Sequence, residues 1–119
     1  MSAADPPDRG DTVWLDFAPR SGHEQDGRRP ALVLSPRAYH ARTGLALVCP
    51  ITRQAKGYPF EVSLPAGFPV DGVVLADQVK SVDWRSRRST FIARAPDEVV
   101  RSVGGLLNRL LPFGLTRGT

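Results

Sequence analysis

Leu45-Ala46-Leu47-Val48-Cys49-Pro50-Ile51 is an almost unbroken apolar run, set between Thr43-Gly44 and the polar stretch 52–59 (TRQAKGYP). A short apolar run with turn signals at both ends reads as a strand covered on both faces, hence a central strand. Upstream, Thr12 to Phe17 alternates: Val13, Leu15 and Phe17 fall on one side, Trp14 and Asp16 on the other. That is the pattern of a half-buried strand. Ala31 to Ser35 is a further strand, reached through the long polar loop 18–30 (APRSGHEQDGRRP). Loops of about 12 residues or more inside small domains are uncommon and often functional.

Downstream, strands are predicted over Phe60–Leu64, Val73–Ala76, Val79–Trp84 and Thr90–Ala95. The Pro/Gly turn 65–72 (PAGFPVDG), Asp77-Gln78 and the basic turn Arg85–Ser89 separate them. Ser35-Pro36 predicts an N-cap followed by proline at the first position of a short helical turn that ends at Thr43-Gly44. Pro96-Asp97-Glu98 predicts the start of a terminal helix with proline first and acids near the positive end of its dipole. Val99, Val103, Leu106, Leu107, Leu110 and Leu111 share one face of it, for core or dimer packing. Gly104-Gly105 interrupts that stripe, and a helix that persists there implies close packing against another backbone. The expected fold is mainly β: a small closed or half-closed barrel with a short helical turn and a C-terminal α-helix.

The chain has 119 residues and is 41% hydrophobic, enough for one domain with a core and too apolar for a disordered chain. Residues 10–111 are expected to form that domain, with frayed tails at 1–9 and 112–119. Cys49 is the only cysteine, which rules out an intrachain disulfide and fits a reducing cytoplasm. MSAADPP has no basic and apolar leader pattern, and no apolar run reaches the roughly 18–20 residues that span a bilayer. The expected protein is therefore cytoplasmic and does not engage a membrane. Its formal charge is +4, carried mainly by arginine, since only Lys56 and Lys80 are lysines. Arginine grips phosphate through a planar fork, so an anionic partner is favoured.

Four stretches taken in order resemble the MazF/PemK family of toxin endoribonucleases from bacterial toxin–antitoxin pairs. They are Gly10–Phe17 (GDTVWLDF), Glu24–Pro36 (EQDGRRPALVLSP), Thr52–Val62 (TRQAKGYPFEV) and Leu75–Arg85 (LADQVKSVDWR). The resemblance implies an SH3-like barrel, a homodimer, and sequence-selective cleavage of single-stranded RNA such as mRNA. It also implies a MazE-like antitoxin whose flexible acidic tail blocks the RNA groove. The family pattern places a catalytic arginine just before the R-P-A strand and a threonine after the central strand. Here these are Arg29 and Thr52.

The chemistry suits those residue types. RNA carries its own nucleophile, the 2′-OH, and the enzyme must align it, stabilise the phosphorane charge and move two protons. Arg29 can grip two phosphate oxygens, and its high basicity favours transition-state stabilisation first and leaving-group protonation second. Thr52 can donate a hydrogen bond to a non-bridging oxygen, though a local turn bond is its other natural fate. Glu24 or His23 can accept the 2′-OH proton, with Glu24 favoured. Arg28, Gln25, Gln54, Lys56, Gln78 and Lys80 are expected to contact RNA, mostly from loops facing one groove. Phe17 either stacks on a base or packs inward. Trp84-Arg85-Ser86-Arg87-Arg88 reads as an aromatic-basic patch or a solvated hairpin tip, and His40 carries no expected role. No metal-ligand spacing appears, so the reaction is expected to need neither metal nor cofactor.

Two other functions compete. A toxin of the same barrel type can inhibit gyrase by protein binding, without nuclease activity. A non-catalytic RNA-binding module would keep the basic groove and tolerate loss of Arg29. The loop arginine paired with Thr52 separates the nuclease from both.

Overall fold

The long strand β3 (Leu45–Thr52) organises the computed structural model, which describes residues 5–17 and 27–114. Around it lie β1 (Asp11–Asp16), β2 (Arg28–Val33), β4 (Glu61–Ser63), β5 (Val73–Leu75), β6 (Lys80–Asp83) and β7 (Thr90–Arg94), with helices α1 (Arg37–Thr43) and α2 (Asp97–Leu110). All pairings are antiparallel, in the order β4-β5-β3-β2-β1-β7, and β6 also pairs with β3. The result is a strongly curved, barrel-like sheet that does not close. The mainly β architecture with one short helix and a C-terminal helix agrees with the sequence reading.

β3 is central because it has partners on both edges. β2 lies along one, while β6 takes residues 45–48 and β5 takes 51–52 of the other. Pro50 falls in the gap between those two partners, so its missing N–H costs no ladder bond there. Both faces of β2 and β3 are covered. Val13, Leu15, Ala31, Val33, Ala46, Val48, Val82 and Trp84 form one core; Leu32, Cys49, Ile51, Val74, Ala76, Ala95, Val99 and Val103 form the other. Each buried aliphatic side chain contributes about 1.5–3 kcal/mol relative to exposure.

Several local expectations are corrected. β2 begins at Arg28, three residues before the predicted Ala31, because Arg28 and Arg29 pair with Asp16 and Leu15 of β1. Ser35 does not cap α1. Its hydroxyl lies 2.6 Å from His40 Nε2 and accepts the Leu47 amide. Pro36 takes the N-cap position without a side-chain cap, and the Asp8 carboxylate reaches across to accept the Arg37 amide at 3.0 Å. That contact holds the Asp8 carboxyl below its ordinary range. Pro96 likewise sits at the N-cap of α2, one residue before the predicted position.

The described part of the N-terminal tail is docked rather than frayed. Pro7 is buried, its carbonyl accepts from His40 Nδ1 at 2.7 Å, and Arg9 Nε donates to the Leu34 carbonyl. His40 is fully buried, and its own carbonyl accepts from Trp84 Nε1. α2 runs through Gly104-Gly105, but a Cβ added at either would meet nothing within 4 Å. No described backbone packs there. Val99 and Val103 are buried and Leu106 and Leu107 half-buried, while Leu110 and Leu111 at the end of the stripe are exposed.

Candidate active site

The ends of β1, β2 and β3 meet the 65–72 turn around a cleft of about 420 Å³. Trp14, Arg28, Arg29 and Pro30 line it from β1 and β2. Ile51, Thr52 and Arg53 come from the end of β3, and Pro69, Val70 and Asp71 from the turn. Arg29 and Thr52, assigned to separate loops by the sequence reading, are instead the second residue of β2 and the last residue of β3, and they share this cleft.

Arg29 is exposed and its side chain makes no hydrogen bond or ion pair among the described residues, so its fork is free for a ligand. Thr52 Oγ1 accepts the Gln54 amide at 3.1 Å. Its hydroxyl hydrogen has no acceptor among the described residues and can be donated. The backbone of Thr52 is held from the other side by Gly72. At φ 121 the Gly72 backbone lies so close that an added Cβ would collide with the Thr52 carbonyl. Only glycine fits there.

Arg28 behaves differently. It lies in a strand, not a loop, and its fork is spent inside the protein. Nη1 pairs with Asp16 Oδ1 at 3.0 Å, and Nη2 donates to the Arg88 carbonyl and Thr90 Oγ1, both at 2.8 Å. Asp16 also pairs with Arg88 Nε at 2.8 Å. The Arg88 hydrogen bonds, then those of Arg28, hold the Asp16 carboxyl down at about 2 from an ordinary 3.8. A depressed folded-state value means that ionised Asp16 stabilises the fold above about pH 4 and loses that contribution as pH falls through about 2. Asp16→Asn should therefore lower the melting temperature at pH 7, with the gap from wild type closing below pH 2. An equal gap at both pH values would reject the bridge as its cause.

The basic stretch 84–88 is a brace, not a free patch. Trp84 is a core residue with Arg85 stacked 4.5 Å above its ring. Arg87 donates to the Asp16 and Phe17 carbonyls. Phe17 is half-buried against the first core. Gln54, Lys56, Gln78 and Lys80 are exposed but do not line the cleft, and Lys80 opens strand β6, inside the predicted strand Val79–Trp84. The Glu61 carboxylate accepts the Lys56 and Gly57 amides and so shapes the loop after Thr52. His23, Glu24 and Gln25 lie outside the described residues.

Trp14, Arg53 and Asp71 were not among the sequence candidates. The alternation of β1 did place Trp14 on the outer side, where it is 37% exposed. Arg53 was next to a named residue, whereas Asp71 sat in a turn read only as punctuation. Burial, with a smaller effect from Asp77, pushes the Cys49 thiol up to about 12, which makes it a core residue and not a nucleophile. Among the described residues no group of three or more His, Cys, Asp or Glu could hold a metal ion. No helix among the described residues is long and apolar enough to cross a membrane.

Comparison with known proteins gives the site a family. The model described as PemK-like, MazF-like toxin of type II toxin–antitoxin system matches residues 8–111. Endoribonuclease toxin MazF of Escherichia coli (strain K12) is 50% identical over 105 residues, 88% of this chain and 94% of that protein. Endoribonuclease toxin ChpB of the same strain is 43% identical over 99 residues, 78% of this chain and 84% of that protein. A chain in the crystal structure of MazE-MazF (Form-II) from Deinococcus radiodurans superposes with a TM-score of 0.84 at 60% identity. That match covers 90% of this chain and 96% of the other. With a match across nearly its whole length, this chain belongs to the PemK-like, MazF-like toxins of type II toxin–antitoxin systems.

Proposed function

We infer that this protein is an endoribonuclease toxin that cleaves single-stranded RNA such as mRNA and so blocks translation and growth. The observation that carries the reading is the meeting in one cleft of the Arg29 fork and the Thr52 hydroxyl hydrogen, neither of which has an acceptor among the described residues. Both groups donate, and both suit the non-bridging oxygens of a phosphodiester. The 2′-OH attacks the adjacent phosphorus, the P–O5′ bond breaks, and the products carry a 2′,3′-cyclic phosphate and a 5′-OH. Arg29 stabilises the charge that grows on the phosphorane, and Thr52 donates to the same oxygens. Trp14 offers an exposed ring at the cleft edge on which a base can stack.

The relatives named as endoribonucleases favour this reading over a gyrase-binding toxin. An antitoxin partner is supported by the MazE-MazF complex. We propose that its acidic, flexible segment occupies the same basic cleft, that the toxin acts as a homodimer in the cytoplasm, that Gln54, Lys56, Gln78 and Lys80 contact the RNA outside the cleft, and that Gln25 also contacts the RNA. Glu24, favoured by the sequence as an acceptor of the 2′-OH proton, remains a proposed site residue.

The deciding experiment is digestion of a long RNA by purified protein in excess EDTA, with sequencing of the cut ends. Discrete fragments with 5′-OH ends are expected. No cleavage of any RNA, or cleavage only with added Mg²⁺ or Mn²⁺, would sink the reading.

A further inference from the structure

The cleft lining holds three arginines, one threonine and a single carboxylate, Asp71. An acid is out of place in a pocket built only to bind phosphate, because it repels the substrate's charge. Its placement is nonetheless tightly determined. The next residue, Gly72, rests on the Thr52 carbonyl, and the Gly72 carbonyl accepts the Leu64 amide at 3.0 Å. Val70, on the other side, is buried. Asp71 is thus an exposed side chain on an anchored backbone, one residue from the group that fixes Thr52. Arg28 answers its charge to Asp16, whereas Asp71 makes no hydrogen bond or ion pair among the described residues. Its oxygens are free to accept.

We propose that Asp71 is a catalytic residue of the RNA cleavage inferred above, the acceptor of the 2′-OH proton; the proposal rests on that nuclease reading. Among the described residues that line the cleft, Arg29, Arg53 and Thr52 can donate to phosphate, Arg28 is engaged with Asp16, and Asp71 is the one group suited to take a proton. In the step, the 2′-O–H proton passes to a carboxylate oxygen of Asp71 as the 2′-oxygen bonds to phosphorus. The P–O5′ bond breaks, and the departing 5′-oxygen takes a proton from water. The hydroxide so formed recovers the proton from Asp71, and the carboxylate is restored with no other reactant. The turn 65–72 then supplies chemistry as well as shape.

The test measures cleavage rate against pH and, separately, binding of an RNA made uncleavable by a 2′-deoxy sugar at the scissile position. Asp71→Asn should lower the cleavage rate by about 10²–10⁴-fold. It should also remove the rise of rate with pH on the acidic side, and leave binding of the uncleavable RNA unchanged or tighter. Asp71→Glu should recover part of the rate and the pH-dependent rise. Asp71→Asn cleaving at the wild-type rate with the wild-type pH profile overturns the role. So does a loss fully explained by weaker binding, or an acidic limb removed by Glu24→Gln and untouched by Asp71→Asn. A wild-type protein that cleaves no RNA overturns the nuclease reading itself, a result distinct from cleavage that ignores Asp71.

Discussion

Arg29→Ala is expected to slow RNA cleavage by about 10²-fold or more, the usual cost of removing one preorganised transition-state donor. The residue is exposed and unpaired among the described residues, so its loss should leave the fold intact and the circular dichroism spectrum unchanged. Thr52→Ala should also slow cleavage. It removes the acceptor of the Gln54 amide as well, so part of its effect runs through the following loop. The double variant should lose less than the sum of the two in free energy, because both groups act on one phosphate. Arg29→Ala cleaving at the wild-type rate would show that the cleft is not the reaction site. Arg28→Ala is a poor substitute for this experiment. Arg28 braces Asp16 against the turn before β7, so its removal changes stability and site together.

The second large effect is expected on the substrate. Replacing the ribose 5′ of the scissile phosphate by deoxyribose removes the proposed nucleophile and should abolish cleavage at that position, with binding largely kept. Binding should still fall with salt, at a log–log slope of about −0.7 per phosphate contacted on a single strand. Continued cutting at the deoxy position would mean that water or a protein group attacks, and the roles assigned to Arg29 and Asp71 would have to be redrawn.

The strand order of importance was legible because apolar patterning is a direct record of burial. Leu45–Ile51 reads as central and is flanked on both edges; the alternation of β1 separates buried Val13 and Leu15 from exposed Trp14. Arg29 and Thr52 were legible only through resemblance, since an arginine at the start of one strand and a threonine at the end of another have no distinctive spacing of their own. Polar residues hid the start of β2, because Arg28 is a ladder partner of Asp16, 12 positions away, and its side chain pairs with the same residue. Trp84 looked like part of a surface patch for the same reason: five neighbours in sequence divide between a core ring and arginines that reach back to β1. Asp71 was unreadable, because its importance comes from the packing of Gly72 on Thr52, 20 positions earlier.

β2 and β3 are covered on both faces, and each carries one member of the proposed donor pair at its end. Neither strand can shift without opening both cores, so loosening the pair and losing the native state are one event. Catalytic output in mild denaturant then serves as a census of native molecules: it declines along the same curve as the tryptophan signal of Trp84, with no range in which intact barrels work at reduced speed.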